Sequence, residues 1–427
     1  MPAVRVVRPS NRRRPALPDP TAVPAPPGTE GSTAPASRNW SPWRVVVGFG
    51  VVSLAADMVY EGARSVYGPL LASLGASALV VGAVTGAGEA AALVFRIVSG
   101  PLADRTGRYW TLTMAGYALT AVCVPLLAIT PLLGGAGLAT AAALILAERI
   151  GKAIRSPAKS TLLADAAGQV GMGRGLGVHK ALDQIGAFAG PLLVAGLIAA
   201  SGAIWPAMAA LAVPGAVVMV LLVLTRRRLP VPVPPDKEPV VPTGRPRVPL
   251  PATFLRFAVG TAACTAGLVT FGLISFHLVR SNLLPTAGVP LLYAGAMAAA
   301  AVAALLTGEL YDRLGPRVLL ALPPLVAAVP ALAFANSLAA AVPGVLLWGA
   351  AVGVQDSTVK ALVADLVPRE RRATAYGVFA AAQGAGALVG GIAAGALYEQ
   401  SVPTLVAVVA AVQAVALLIL ITVVRRA

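Results

Sequence analysis

The chain has 427 residues, 57% of them hydrophobic and only 12% charged, with a mean hydropathy of +0.81. That is too apolar for a soluble globular protein of this length. The net charge of +16 does not point to nucleic acid either, because the basic residues are dealt out between apolar runs instead of being gathered on one soluble face.

Residues 1–40 are rich in Pro, Ser, Thr, Ala and Arg and contain no apolar run. A signal peptide needs an apolar segment soon after its basic region, and none arrives before Val45. The composition predicts a disordered cytoplasmic tail over 1–43, with Arg12, Arg13 and Arg14 available to anionic lipid. Apolar runs long enough to cross a hydrocarbon core then follow near 44–72, 77–102, 109–130, 137–158, 175–200, 205–225, 253–280, 289–310, 317–336, 341–365, 373–399 and 402–424. The sixth and seventh are separated by 226–252, where nine prolines from Pro230 to Pro251 keep the chain extended as a linker. The pattern predicts an N-terminal bundle over 44–225 and a C-terminal bundle over 253–427. Cys123 and Cys264 each lie alone in an apolar span, so neither a disulfide nor a metal site is indicated.

The basic residues fall in alternate connections. Arg44 precedes the first span, Arg105 and Arg108 follow the second, Arg155, Lys159 and Arg174 follow or close the fourth, and Arg226, Arg227 and Arg228 follow the sixth. Arg313 and Arg317, then Arg369, Arg371 and Arg372, then Arg425 and Arg426 continue the series, whereas 73–76, 131–136, 201–204 and 337–340 carry no Lys or Arg. This positive-inside pattern predicts an even number of spans with both termini in the cytoplasm.

One turn occurs twice. Gly100-Pro-Leu-Ala-Asp104-Arg105-Thr-Gly107-Arg108 and Gly308-Glu-Leu-Tyr-Asp312-Arg313-Leu-Gly315-Pro-Arg317 each join one apolar run to the next, and their Asp-Arg pairs must lie at a membrane surface. Further matches hold at a constant offset of 200: Ala164-Asp165 with Ala364-Asp365, Gly177-Val178 with Gly377-Val378, and Gly186 and Gly190 with Gly386 and Gly390. The chain is therefore an internal duplication, an arrangement typical of transporters.

The doubled turn, the six-plus-six spans and the long central loop resemble the major facilitator superfamily over residues 40–425. The resemblance implies an all-α membrane protein of twelve transmembrane helices in two pseudo-symmetric six-helix bundles. It also implies a secondary transporter of a bacterial plasma (inner) membrane that acts as a monomer, without a cofactor, by alternating access. Glu148-Arg149-Ile-Gly151-Lys152-Ala-Ile-Arg155-Ser-Pro157-Ala-Lys159 resembles the fourth span of one bacterial branch, and Gly175 to Gly186 resembles its fifth. Within that fifth span, Gly177, Gly186, Gly190 and Pro191 resemble the antiporter motif of drug and metabolite exporters, although Val194 and Ala195 stand where two glycines are expected. The same glycines would also serve plain close packing of two helices. By resemblance again, Gly100, Asp104, Arg105, Gly107 and Arg108, with Gly308, Asp312, Arg313 and Gly315, form a cytoplasmic gate in which Asp104 pairs with a basic residue of the fourth or fifth span.

Ionisable residues inside the spans are costly, about 2.5–3.5 kcal/mol each at the membrane centre on an insertion scale, so these must pair or line a wetted cavity. The first span holds Asp57, Glu61 and Arg64 on one face, the second Glu89 and Arg96, and the fourth a stripe of Glu148, Lys152, Arg155 and Lys159 beside Arg149. The fifth holds His179, Lys180 and Asp183. By depth, Asp57, Glu61, Glu89, Glu148 and Arg149 belong to a central cavity and are the candidates for proton coupling, the alternative being a static ion-pair network. Arg155, Lys159 and Lys180 belong near the cytoplasmic end. The second half is poorer in charge: His277, Arg280, Asp356, Lys360 and Glu399, with Gln355 and Gln383 able to hydrogen-bond a solute and Phe271, Phe276 and Trp348 as a candidate apolar wall.

Enzymatic motifs are missing. Two histidines cannot make a H-E-x-x-H site, Gly151-Lys152 lacks the Ser or Thr of a phosphate loop, and Gly86-x-Gly88-x-x-Ala91 has no strand before it. The reading is a proton-coupled exporter of a small amphipathic compound, with lipid and protons as its other partners. Import of a nutrient with the same carboxylates, or a lipid translocase or sensor, remain alternatives.

Overall fold

The structure, a computed structural model, describes residues 40–228, 250–367 and 371–425, and every regular element among them is helical. The first half runs α1 (Pro42–Arg64), α2 (Tyr67–Ser73), α3 (Ala78–Thr106), α4 (Tyr109–Leu126), α5 (Gly137–Val170), α6 (Met172–Ser201), α7 (Ile204–Ala210) and α8 (Ala212–Arg228). The second half runs α9 (Ala252–Gly267), α10 (Phe271–Arg280), α11 (Gly288–Leu314), α12 (Leu322–Ala333), α13 (Leu338–Leu366), α14 (Arg372–Gln400) and α15 (Val402–Val424). Ten stretches of the described residues are long and apolar enough to cross a membrane. Two of them, Tyr109–Val170 and Gly288–Ala333, have 62 and 46 residues. One crossing needs roughly 20. Each also contains a break, at Gly134 (φ +54°) and at Gly315 (φ +65°). Counted as two crossings apiece, they bring the number to the twelve expected.

Several boundaries move. The first predicted span is two helices, α1 and α2, broken at Ser65 and Val66, and its counterpart in the second half breaks between α9 and α10, where the Thr270 hydroxyl caps Leu273 N–H. Predicted to end near 158, α5 continues to Val170. The charges from Lys152 to Lys159 end its apolar run but not its helix, since Lys, Ala and Leu all favour helix. The predicted tail 1–43 and linker 226–252 fall largely outside the described residues. At their edges, α1 already begins at Pro42, Arg226 to Arg228 form the last turn of α8, and Trp40 N–H donates to Arg228 O at 3.2 Å.

In the doubled turn the reversal is made by Gly107 and Gly315, whose φ values of +64° and +65° are left-handed and suit glycine. Gly100 and Gly308 lie inside α3 and α11 and take no part in it.

The duplication is visible as packing. A Cβ on Gly186 or Gly190 of α6 would strike the Leu54 or Met58 carbonyl oxygen of α1. At Gly386 and Gly390 of α14 the corresponding clash is with the Ala262 and Ala266 carbonyls of α9. Glycine lets backbones touch where lipid offers no hydrophobic drive to bring helices together.

The two ends of the molecule differ. One end, carrying the Asp-Arg turns, is here called the basic end; the other, near 74–77, 201–204 and 335–338, the neutral end. The largest core runs through both halves, from Val59, Leu70, Val81, Ile145 and Ile198 to Phe271, Tyr293, Val345, Ala394 and Leu405, all toward the neutral end. Toward the basic end the core divides: Phe254, Phe257, Leu319, Val363 and Leu420 pack within the second half, and Val45, Phe49, Leu162 and Leu163 within the first. The seam between α3 and α14 follows the same gradient. A Cβ at Gly86 would lie 3.0 Å from Gly391 Cα, at Gly384 it would meet a Val94 methyl at 2.7 Å and the Ala90 carbonyl oxygen only at 3.3 Å, and at Gly377 the nearest neighbour is an Ile97 methyl at 4.0 Å. The halves are joined at the neutral end and part toward the basic end.

Candidate functional site

The elements that carry buried charge are α1, α3, α5 and α6. On α1, Glu61 and Arg64 sit one turn apart, and Arg64 Nη2 reaches across to Glu89 Oε1 of α3 at 2.7 Å. Arg64 also lies 3.7 Å from Glu61 Oε2, and Arg149 of α5 lies 3.7 Å from the same Glu89 oxygen. Arg149 Nε stands 3.5 Å from Glu148 Oε2, an ion pair without a hydrogen bond, while Glu148 Oε1 accepts from Thr120 at 3.2 Å. Glu148 is fully buried and Arg149 is 3% exposed. Glu61, Glu89, Glu148 and Arg149 are thus brought together in one connected network.

Aromatic hydroxyls complete it. Tyr60 accepts from Arg149 and also lies under its guanidinium, 4.3 Å from ring centroid to Cζ. Tyr293, from α11 in the second half, donates to Glu61 Oε2. Close by, the Thr85 and Thr270 hydroxyls are 2.8 Å apart, again one from each half. A cavity lined by Arg64, Tyr67, Glu89, Arg149 and Phe271 lies at this joint, with room of ≈ 10 Å³, about one water molecule. A wider cleft of ≈ 510 Å³ between α12 and α15 is lined by Phe334, Asn336 and Pro403 and has no charged residue in its lining.

Asp57 is the member that stands apart. One turn from Glu61 toward the basic end, its carboxyl adjoins that of Asp183 on α6, within the field of Lys152 and Glu61. Asp183 in turn pairs with Lys180 at 2.6 Å. Next to them, Lys159 Nζ donates to Ser53 Oγ at 3.0 Å and stands 3.3 Å from His179 Nε2. A lysine ammonium only donates, so this contact makes Nε2 an acceptor and puts the ring proton on Nδ1, which has no partner among the described residues.

The remaining sequence candidates divide. Asp104 accepts from Tyr109 at 3.1 Å, and Arg313 pairs with Glu309 of its own helix on an exposed surface. Arg105, Arg108 and Asp312 are exposed. Arg155 is buried: it donates to Thr120 at 2.5 Å and lies over Tyr117. In the fifth-span motif, Gly186, Gly190 and buried Pro191 belong to the α1 contact, but Gly177 is exposed with nothing within 4 Å. Phe271, Tyr293 and Trp348 form an aromatic group, with Phe271 4.6 Å from Tyr293 and 5.4 Å from Trp348 between centroids. Phe276 instead packs on Tyr398. His277 is buried with Nδ1 2.9 Å from the Tyr398 hydroxyl, and Gln383 accepts from Thr265. The side chain of Lys360 lies outside the described residues, so its pairing with Asp356 does too. Sequence reasoning missed Tyr60, Tyr293 and Thr120. The first was visible as the neighbour of Glu61; nothing local marks the other two.

The family model described as Major Facilitator Superfamily matches the chain twice, over 49–284 and 257–427. Rv2265, an uncharacterized protein of Mycobacterium tuberculosis, is 52% identical over 395 residues, covering 91% of this chain and 94% of its own length. The uncharacterized protein Mb2288 of Mycobacterium bovis matches to the same extent. Among solved structures, a point mutant of the nucleoside transporter NupG superposes with a TM-score of 0.71 at 13% identity, over 89% of this chain and 99% of that one. A bacterial homologue of the iron transporter ferroportin, solved in an inward-facing state, gives 0.65 at 17% identity over 89% and 98%. A POT family transporter in complex with 5-aminolevulinic acid gives 0.69 at 12% identity over 89% and 95%. At these identities the likeness is one of fold.

Proposed function

The chain belongs to the major facilitator superfamily, and we propose that within it the protein is a proton-coupled secondary transporter that exports a small amphipathic organic compound. It crosses a bacterial inner membrane as two six-helix bundles with both termini in the cytoplasm, so the basic end is the inner one. Arginine and lysine concentrated at that end support the orientation. The separation of the two cores there then corresponds to a state open to the cytoplasm.

The observation that carries the coupling is the Asp57–Asp183 pair. Two carboxylates side by side repel unless a proton lies between them, so this adjacency makes the pair a site for one proton, released when either partner is drawn away. Because α6 rests on α1 through Gly186 and Gly190, a shift between these helices changes the contact. Glu61 carries the effect to the second half: protonated, it no longer attracts Arg64 and holds Tyr293 less firmly, and the neutral end is free to part. Entry of a proton from outside and departure of the solute then alternate at one cluster. Asp104 and its counterpart Asp312 limit opening at the inner face, so Asp104→Asn impairs turnover while leaving substrate affinity unchanged.

The test compares small molecules inside and outside cells expressing wild type or Asp57→Asn. Compounds that build up in the medium only with wild type support export, and their disappearance from the medium turns the reading to import. If no compound responds to wild type in either direction, the transport reading falls.

A further inference from the structure

The carboxyls of the cluster are all engaged. Glu89 is held by Arg64 and Arg149, Glu148 by Arg149 and Thr120, Glu61 by Arg64 and Tyr293, and Asp183 by Lys180. Besides Lys159, which has Ser53 and His179 as partners, three cations of the same region make no ion pair among the described residues. Lys152 has Tyr60 for company, its ammonium 3.6 Å from the ring centroid, and no carboxylate within ion-pair distance among the described residues. Arg155 meets Thr120 and the face of Tyr117. Arg96 is half-buried, and its Nε is enclosed with no hydrogen-bond partner among the described residues.

These three converge. Lys152 and Arg155 are one turn apart on α5, Ser99 of α3, one turn beyond Arg96, donates to the Ala153 carbonyl of α5 at 2.8 Å, and Arg96 lies within electrostatic reach of Arg155, Tyr60, Glu89 and Asp356 on α13. An aromatic ring or a hydroxyl orients a cation but does not neutralise it. The place is also reachable. Lys152 and Arg96 are both incompletely buried, they lie on the basic-end side of the Glu89–Arg149 network, and the cores of the two halves have separated by that level. The aromatic group of Phe271, Tyr293 and Trp348 closes the route beyond.

We propose that the solute is a small organic anion whose charged group is bound by Arg96, Lys152 and Arg155. This rests on the transport reading above and names its substrate class. The anion offers these cations a directly bonded negative group, which no ion pair among the described residues gives them, and guanidinium and ammonium groups give a carboxylate, sulfonate or phosphate its charge-assisted hydrogen bonds.

The test is an untargeted comparison of compounds moved by wild type, by the Arg96→Gln/Lys152→Gln double variant and by Lys152→Arg. Each is the full-length chain, matched for amount in the membrane and for monodisperse elution. Expected is that compounds moved by wild type carry a negative charge at neutral pH, that the double variant moves them about 10- to 100-fold more slowly, and that Lys152→Arg retains the rate. Neutral or cationic compounds as the solutes, or anions moved equally well by the double variant, overturn the inference while leaving transport standing. No wild-type-dependent compound at all overturns transport and this inference together.

Discussion

Residue by residue, the cluster shows how a membrane protein tolerates charge. Glu148 and Arg149 are adjacent in sequence and essentially excluded from solvent; Glu148 Oε1 accepts from Thr120 and Arg149 donates to Tyr60, both on other helices. Removing one partner of such a pair strands the other, at a cost of about 3–5 kcal/mol. Glu148→Ala is therefore expected to lower the unfolding temperature of the purified chain markedly; an unchanged transition would mean that Glu89 and Tyr60 suffice to hold Arg149. Asp57 is expected to behave otherwise. Asp57→Asn keeps the side chain's shape and a hydrogen bond to Asp183 but removes the shared proton, so transport rate becomes flat with pH while the fold persists. Asp183→Asn should do the same, and a pH profile unmoved in both variants refutes the proton site. Tyr293→Phe removes the hydroxyl that ties Glu61 to the second half. It should raise the reactivity of a cysteine placed at Thr85 toward a reagent that cannot cross the membrane, applied from the neutral side.

Between helices, the decisive contacts are glycine-to-backbone. Gly190 of α6 has the Met58 carbonyl where its Cβ would be, and buried Pro191 follows it. A valine there must push α1 and α6 apart, which costs about 1–3 kcal/mol in a well-packed interior. Gly390→Val should cost a similar amount, because it meets the Ala266 carbonyl in the equivalent place. Gly177→Val, by contrast, should be silent in thermal unfolding, because it faces open space. Comparing the three separates the packing role of the fifth-span motif from any role of its remaining glycine. Helix ends were the least legible feature, as α5 illustrates. Hydropathy ends with the bilayer, whereas helical hydrogen bonding continues as long as the residues favour it, and in α5 that is to Val170.

Across the molecule, the shared core at the neutral end and the divided cores at the basic end define one of the two states that alternating access needs. Leu79 N–H donates to Glu399 Oε1 at 2.9 Å across the α3–α14 seam, close to the neutral surface. Cysteines at Leu79 and Glu399, joined by a short thiol crosslinker, should hold that end shut and stop transport, with recovery on reduction. Transport that continues in the crosslinked protein would show that the neutral end does not open during the cycle. Intact cells provide an orientation check. A cysteine at Thr106 in the first Asp-Arg turn should resist reagents that cannot cross the membrane, since that turn is expected at the inner face.

Read without coordinates, the chain already declares that it crosses a membrane many times, which of its connections are basic, and that it is a duplication. These follow from local constraints: a span must be long enough for the hydrocarbon core, surface charge is read connection by connection, and a repeat keeps its frame, as Gly186 and Gly190 with Gly386 and Gly390 do. The charges that lie deep are marked as well, because a carboxylate inside an apolar run has nowhere else to be. Which group meets which is a matter of helix packing alone. That Asp57 faces Asp183, that Tyr293 reaches Glu61 from 232 residues away, and that Arg96 and Lys152 make no ion pair among the described residues all depend on how each helix is rotated and how deep it sits. Neighbouring helices set that rotation, and hydropathy along one chain carries almost no trace of it.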